Sequence, residues 1–141
     1  MQIRLVNKSD HNAIANKIFN SFWKDNPKSW HKFIDPHKTL QSIIESKLVA
    51  VVLEETYLLL VHPTTPWYTD KTFLQELLVL KLYDGNCSLF LVPKALDYLA
   101  NSCGCAGVLA GATTARDPEI LLNLYGRYGY EQQSGFVFKE V

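Results

Sequence analysis

Apolar residues at the start of the chain are spaced first as in a strand and then as in a helix. Residues 2–6 alternate polar and apolar side chains, which predicts a first strand. Ser9 or Asp10 is expected to cap a helix that ends near residues 26–27, because the proline there cannot continue it. The apolar face of this helix is expected to consist of Ile14, Ile18, Phe19 and Phe22.

The next pattern predicts a second helix followed by a hairpin. Asp35 and Pro36 have the chemistry of an N-cap and a first helical residue. Residues 48–53 and 57–61 are two runs rich in strand-forming residues, and residues 54–56 between them predict a turn. The side chains expected to face inward from the helix are Leu40, Ile43 and Ile44.

The middle of the chain predicts a loop, a long strand and a third helix. Residues 62–72 are expected to form the loop and residues 73–83 the strand. Apolar residues at helical spacing predict a helix over residues 88–102, which places Pro93 within it. An alternative makes residues 87–92 a strand and Pro93 the first residue of the helix.

The C-terminal third predicts a strand, a helix and a final strand. Residues 107–113 are expected to form a strand of small residues, and residues 136–141 the last strand. Asp117 and Pro118 are expected to begin a helix whose apolar positions are Ile120, Leu121, Leu124 and Tyr125. Residues 1–141 are therefore expected to form one α+β domain, with a mixed central β-sheet of about six strands flanked by about four helices.

Composition narrows the classes of function. Fourteen Lys and Arg balance fourteen Asp and Glu, and only three of the cations are Arg. Such a neutral chain has no field that would attract nucleic acid or an anionic membrane. The longest apolar runs, residues 48–53 and 57–61, are far shorter than the roughly 20 residues that span a bilayer. We therefore expect a cytoplasmic domain with no nucleic-acid or membrane partner.

Cysteine and histidine spacing offers little chemistry. The three cysteines are Cys87, Cys103 and Cys105, without a second pair at zinc-ligand spacing, which is typical of a reducing compartment. The four histidines also lack metal spacing and are expected at the surface or at caps; they are His11, His31, His37 and His62. Cys87, close to a helix N-terminus, is an alternative candidate for a nucleophilic thiolate. No metal is predicted.

The C-terminal half resembles the GNAT superfamily of acyl-CoA-dependent N-acetyltransferases. The stretch from Val79 through a loop to Ala100 and Gly104 is similar to the family's fourth strand, pyrophosphate loop and third helix. A second similarity is the pair Leu124-Tyr125 followed by Gly129-Tyr130, which resembles the end of the family's fourth helix. Residues 65–69 with Glu76 also look like small acetyltransferase-like proteins of bacteriophages. The resemblance implies acetyl-CoA as cosubstrate and an amine as acceptor.

The same resemblance implies the site residues. Tyr125 matches the family's recurring tyrosine, the acid that protonates the leaving thiolate, and Glu76 resembles the glutamate that serves as base. Backbone amides near Val79 and Lys81 would hold the thioester and the pantetheine arm. The loop residues implied in binding the pyrophosphate are Gly85, Asn86, Cys87 and Ser88.

The loop departs from the family's pattern. The family has Arg or Gln at the position that Asp84 occupies here, and it has small residues at the positions of Cys87 and Leu89. An anion replaces a group that would bind phosphate, and side chains replace glycines that let the backbone approach closely.

Two hypotheses of function follow. The first is a GNAT-like N-acetyltransferase that uses Glu76 and Tyr125. The second is a non-catalytic GNAT-fold protein that binds a protein assembly, for instance in a phage virion, or forms a homo-oligomer. In either, the aromatic residues Trp23, Trp30, Trp67 and Tyr68 are candidates for an acceptor cleft or an interface.

Overall fold

Five strands and four α-helices account for most of the regular structure in the computed structural model, which describes residues 1–24, 28–111, 118–132 and 139–141. The strands are β1 (Ile3–Leu5), β2 (Val49–Leu53), β3 (Tyr57–Thr64), β4 (Phe73–Lys81) and β5 (Gly107–Leu109). The α-helices are α1 (His11–Ile18), α2 (Pro36–Ile44), α3 (Leu91–Ser102) and α4 (Pro118–Arg127). A π-helical turn, Phe19–Lys24, continues α1, and 3-10 turns lie at Lys8–Asp10 and Ser29–Phe33.

The strands form one mixed sheet in chain order, β1-β2-β3-β4-β5. The first four are antiparallel neighbours, and β5 pairs parallel with β4. This arrangement confirms the α+β prediction and its order of elements through α4. The predicted sixth strand falls mostly on residues 133–138, outside the described residues, and residues 139–141 are not in a strand.

The sheet is buried on both faces, so its central strands read as continuous apolar runs. On one face, α1 and its π turn contribute Ile14, Ile18 and Phe22 to a core layer with even-numbered residues of β2 and β3. On the other face, α3 and α4 cover odd-numbered residues of the same strands, such as Val51 and Leu59. We call these the α1/α2 face and the α3/α4 face.

Several predicted details are wrong in instructive ways. β3 continues to Thr64 because it keeps pairing with β4, which shortens the loop to residues 65–72. α3 begins at Leu91, so Pro93 lies in its first turn, where a missing N–H costs no helical bond, and the alternative strand over 87–92 is wrong. Three residues predicted to face inward are more than half exposed: Phe19 (51%), Ile44 (58%) and Ile120 (57%).

His31 is fully buried, contrary to the surface or capping role expected for the histidines. Its ring lies edge-on to Phe22 and Trp30, with centroids 5.0 and 4.5 Å away. Neither ring nitrogen has a hydrogen-bond partner among the described residues, and burial lowers its pKa. The histidine is therefore a neutral member of the α1/α2 face.

Asp10 is not the side-chain cap that the sequence suggested. Asn7 caps the 3-10 turn instead, and the Asp10 carboxylate is buried, 1% exposed. Its two oxygens accept hydrogen bonds from the Arg4 guanidinium at 2.8 and 2.9 Å and from the Tyr83 hydroxyl at 2.6 Å. Arg4 also pairs with Glu55 in the β2–β3 turn. The network joins the N-terminus to the turn and to the end of β4, and the Arg4 bonds hold the pKa of Asp10 well below its usual range.

Removing the cation from this network should destabilise the fold. Arg4→Met leaves a buried carboxylate without its charged partner, so we expect a loss of about 3 kcal/mol of unfolding free energy. Urea denaturation at pH 7 measures it. Lys47→Met is the control, since Lys47 pairs with Glu45 in water and should lose at most about 1 kcal/mol. Equal effects of the two variants would contradict a structural role for the Arg4–Asp10 pair.

Candidate active site where β4 and β5 separate

An extra residue in β4 decides which way its side chains point. Val61 pairs with Glu76 and Leu60 pairs with Leu78, so Leu77 is an inserted β-bulge residue. Side chains alternate along a strand, so Glu76 and Leu78 would share a face without the insertion. With it, Glu76 lies opposite Val61 on the α3/α4 face, while Leu78 joins the α1/α2 face.

Among the described residues, β4 and β5 pair over three positions. Phe73, Leu74 and Gln75 pair with the whole of β5, Gly107–Leu109. At the next residue of β4 a side chain takes part instead, because the Gly111 N–H donates to Glu76 Oε2 at 3.0 Å. Glu76 therefore marks the end of the described β4–β5 pairing, and we use "the gap" for the β5 side of β4 beyond it, where residues 112–117 lie outside the described part of the chain.

Burial makes the Glu76 carboxyl a weaker acid than an exposed glutamate. The residue is 6% exposed, and desolvation raises the pKa of its carboxyl to about 7, although the Gly111 N–H opposes the shift. A carboxyl with this pKa exchanges its proton near neutral pH, which suits a general base.

Tyr125, near the end of α4, lies close enough to Glu76 for the charge of that carboxyl to act on its phenol. Its side chain is 2% exposed, and its hydroxyl has no hydrogen-bond partner among the described residues. Burial, followed by the charge of Glu76, raises the pKa of the phenol. The structure thus brings together Glu76 and Tyr125, the two residues that the sequence singled out for proton transfer, from positions 49 residues apart.

Two further residues support this pair and were given no role from the sequence. The Tyr130 ring lies against Tyr125, with centroids 5.0 Å apart, and its hydroxyl donates to Asp97 Oδ1 at 3.2 Å. Gly111 supplies the amide that holds Glu76. Tyr130 could have been found from its place after Gly129 in the quoted motif; Gly111 carries no sequence signal, because only its backbone acts.

Backbone amides of β4 point into the same gap. The Leu82 N–H donates to Thr56 O on the β3 side at 2.8 Å. Amides alternate along a strand, so those of Lys81 and Val79 point away from β3, toward the side of β4 on which β5 pairs with residues 73–75. The two amides expected to hold a thioester are therefore aimed at the gap.

The loop after β4 is fixed against the β2–β3 turn. Leu82 and Tyr83 both donate to the Thr56 carbonyl, and a Cβ built on Gly85 would lie 1.9 Å from Thr56 Oγ1. Thr56 itself is fully buried. Gly85 is thus required for close packing against Thr56, a role different from the phosphate contact that the resemblance implied.

The N-terminus of α3 has few free amides. The N–H groups of Leu91 and Val92 donate to the carbonyls of Ser88 and Leu89, and the Phe90 N–H donates to Ser88 Oγ. Pro93 has no N–H. The N–H groups that would bind an anion at a helix N-terminus are therefore mostly hydrogen-bonded to residues of the preceding loop.

Cys87 is not activated by this helix. Its thiol points to the Ser88 carbonyl at 3.4 Å, and α3 starts four residues later. Burial, followed by the charge of Glu54, raises the pKa of the thiol. These surroundings oppose the alternative of a nucleophilic thiolate at this position.

An open apolar groove lies on the α1/α2 face next to the bulge. It has a volume of about 230 Å³, and its walls include Phe22, Leu60 and Leu77. Lys38, Thr39 and Ser42 of α2 line its polar side. None of the four aromatic residues suggested for an acceptor cleft lines this groove: Trp23, Trp30, Trp67 and Tyr68.

Two other kinds of site are absent from the described part of the chain. No group of three or more His, Cys, Asp or Glu side chains there could hold a metal ion. No helix within it has the length and apolar character needed to cross a membrane.

Solved structures with the same fold include three from bacteria. A GNAT-family acetyltransferase from Listeria monocytogenes has a TM-score of 0.65 and 12% identity, over 96% of this chain and 88% of that one. An aminoglycoside 6'-N-acetyltransferase from Acinetobacter haemolyticus has a TM-score of 0.63 and 11% identity, over 100% of this chain and 98% of that one. A transcriptional regulator from Bacillus halodurans has a TM-score of 0.67 and 14% identity, over 99% of both chains.

The fold is that of the GNAT acetyltransferases. No protein-family profile and no curated protein matches the sequence. At identities of 11–14%, the likeness concerns the backbone arrangement, and the function has to be argued from the site.

The residues present suit one part of acetyl-CoA better than the other. The Val79 and Lys81 amides point away from β3, where they could donate to a thioester and its pantetheine arm, and Glu76 lies farther back along the same strand. The loop at residues 84–90 offers the diphosphate an exposed Asp84 and no cation. The acyl-thioester end fits this chain and the diphosphate end does not.

Substituting Gly85 tests the contact between the loop and the hairpin. Gly85→Ala forces a Cβ against buried Thr56, so we expect a loss of about 1–3 kcal/mol in unfolding free energy. Gly126→Ala is the matched control, because open space surrounds that position in α4 and alanine there should stabilise by up to about 1 kcal/mol. Chemical denaturation of both variants provides the comparison; a neutral Gly85→Ala would refute the close approach.

Replacing Glu76 should change how stability depends on pH. The folded pKa of about 7 lies above the unfolded value of 4.5. The raised pKa of Glu76 therefore contributes fully to the unfolding free energy below pH 4.5, and this contribution is lost as pH rises through about 7. Glu76→Gln has no such loss, so its stability relative to the native protein should rise by about 3 kcal/mol between pH 4.5 and pH 8. Denaturation at the two pH values measures it, with exposed Glu119→Gln as control. A pH-independent difference for Glu76→Gln would contradict the raised pKa.

Proposed function

We propose that the chain transfers an acetyl group from a thioester, with acetyl-CoA as the donor that the fold implies, to an amine. The observation that carries this proposal is the pairing of a buried carboxyl, Glu76, with an unpartnered buried phenol, Tyr125, where β4 and β5 separate. Buried polar groups without partners cost folding free energy, so their retention at a gap favours a role in chemistry. The acetyltransferases that share the fold support the same reaction class.

Each residue has a distinct part in this reaction. Glu76, ionised above about pH 7, accepts the proton that the amine loses as its nitrogen bonds to the acyl carbon. The Val79 amide donates to the thioester oxygen, whose negative charge grows as the carbonyl is attacked. As the carbon–sulfur bond breaks, Tyr125 gives its phenolic proton to the thiolate, and the proton held by Glu76 restores the balance through solvent.

The groove beside Leu77 is not assigned to the acceptor. It lies on the α1/α2 face of the sheet, whereas the Glu76 carboxyl and Tyr125 lie on the α3/α4 face. The proposal therefore names the acceptor only by its chemistry, as an amine whose proton Glu76 can accept.

Tyr125→Phe separates catalysis from folding. Phenylalanine keeps the packing and removes a hydroxyl that has no described partner, so unfolding free energy should be unchanged or slightly higher. Acetyl transfer to a panel of small amines should fall about 100-fold in kcat, with little change in donor affinity. Equal loss of turnover and donor affinity, or no loss of turnover, would contradict the role of acid.

The second candidate is a non-catalytic binding or structural protein. Trp67 is 95% exposed and Tyr68 is 66% exposed, side by side at the tip of the β3–β4 loop, where they suit a protein interface better than a core. Titration calorimetry with acetyl-CoA and pantetheine thioesters discriminates between the two. If no thioester binds at high micromolar concentration, the enzyme hypothesis fails and assembly through this loop becomes the better account.

A further inference from the structure

We infer that this site recognises its donor through the acyl-pantetheine arm and that the nucleotide diphosphate half of CoA contributes little to binding. The inference rests on the proposed function, because it concerns the donor of that reaction. It follows from three features of this end of the site: the charge of the loop at residues 84–90, the committed amides of residues 90–92 at the start of α3, and the fixed position of the loop.

The loop itself carries a charge of the wrong sign for a diphosphate. Asp84 is exposed and residues 84–90 include no Lys, Arg or His; the nearest cations in sequence, Lys81 and Lys94, lie outside the loop. The charge of Glu54 also reaches the loop, since it raises the pKa of the Cys87 thiol. A diphosphate placed against the loop would meet the Asp84 carboxylate at the position where binding sites normally provide a cation.

The amides that usually bind such an anion are already used. Phe90 donates to Ser88 Oγ at 3.2 Å, and Leu91 and Val92 donate to loop carbonyls at 3.0 and 3.1 Å. Pro93 removes the next donor. Within this loop, the N–H groups of Asp84 and of residues 86–89 have no partner among the described residues, and the loop's one formal charge, on Asp84, is negative.

The loop is also held in place. The Tyr83 hydroxyl donates to buried Asp10 at 2.6 Å, and Gly85 lies against Thr56 with no space for a side chain. Rearranging it to free the α3 amides would break these contacts. The Val79 and Lys81 amides belong to β4, outside the loop, so the features of residues 84–90 leave recognition of the arm in place.

The direct test compares donors that differ only in the nucleotide half. Titration calorimetry gives the Kd of CoA and of pantetheine, and kcat/KM is measured with acetyl-CoA and with S-acetylpantetheine. We expect the two Kd values to differ by less than about tenfold, and likewise the two kcat/KM values; tenfold corresponds to about 1.4 kcal/mol. A preference of tenfold or more for the CoA forms would overturn the inference and leave the proposed function standing. Failure of every donor to bind or react would overturn both.

A charge reversal tests whether the loop is the cause. Asp84→Arg should tighten CoA by about tenfold or more while leaving the Kd of pantetheine unchanged, because it supplies one charge-assisted contact. Asp70→Arg makes the same charge change in the exposed β3–β4 loop and should alter neither ligand. If Asp84→Arg fails to tighten CoA, or if both variants tighten it equally, the assignment of this loop to the diphosphate is overturned.

Discussion

The site depends on a mismatch in how β4 pairs with its two neighbours. β4 pairs with β3 along its whole length but with β5 over three described residues, and the inserted Leu77 lies two residues beyond the last of them. The insertion sends the Glu76 carboxyl to the α3/α4 face, where Tyr125 lies, and leaves Leu77 and Leu78 to the groove on the other face. Without it, the Glu76 carboxyl would point to the α1/α2 face, away from Tyr125.

This geometry keeps polar groups in a costly environment. Among the described residues, Glu76 has one hydrogen bond for a carboxyl that is almost fully buried, and Tyr125 has none for its hydroxyl. Elsewhere the fold satisfies a buried carboxylate well: Asp10 accepts bonds from Arg4, Tyr83 and the Asn7 amide. The contrast between a fully paired carboxylate and a poorly paired one distinguishes a structural group from a group kept available for reaction.

The two ends of the gap have been shaped by different constraints. At the inner end, strand pairing on one side alone leaves the Val79 and Lys81 amides directed into the gap. At the outer end, the loop is held to the β2–β3 hairpin through Thr56, and Tyr83 just before it is hydrogen-bonded to Asp10. The first N–H groups of α3 are hydrogen-bonded to the carbonyls of Ser88 and Leu89. The loop therefore contributes more to joining the parts of the sheet than to holding an anion.

Local pattern determined much of the fold. The apolar runs of β2 and β3, the Asp35 cap of α2 and the helical spacing in α3 are short-range signals, and the structure bears them out. The sequence resemblance also named Glu76 and Tyr125 and placed them on a strand and a helix. It could not show that they meet, because a strand's faces follow from its register with β3, and one extra residue exchanges them.

Tertiary structure decided the remaining features, each through contacts between distant segments. Asp10 looked like a cap because the neighbouring residues suit one, but Arg4 and Tyr83, 73 residues further on, made it a buried ionic centre. Gly85 looked like part of a phosphate loop, and its contact with Thr56 gave it a packing role. The sequence alone determined which segments become strands and helices, since that depends on neighbours in the chain. Only the tertiary structure decided which polar groups are buried, paired or left free, since that depends on what packs against them.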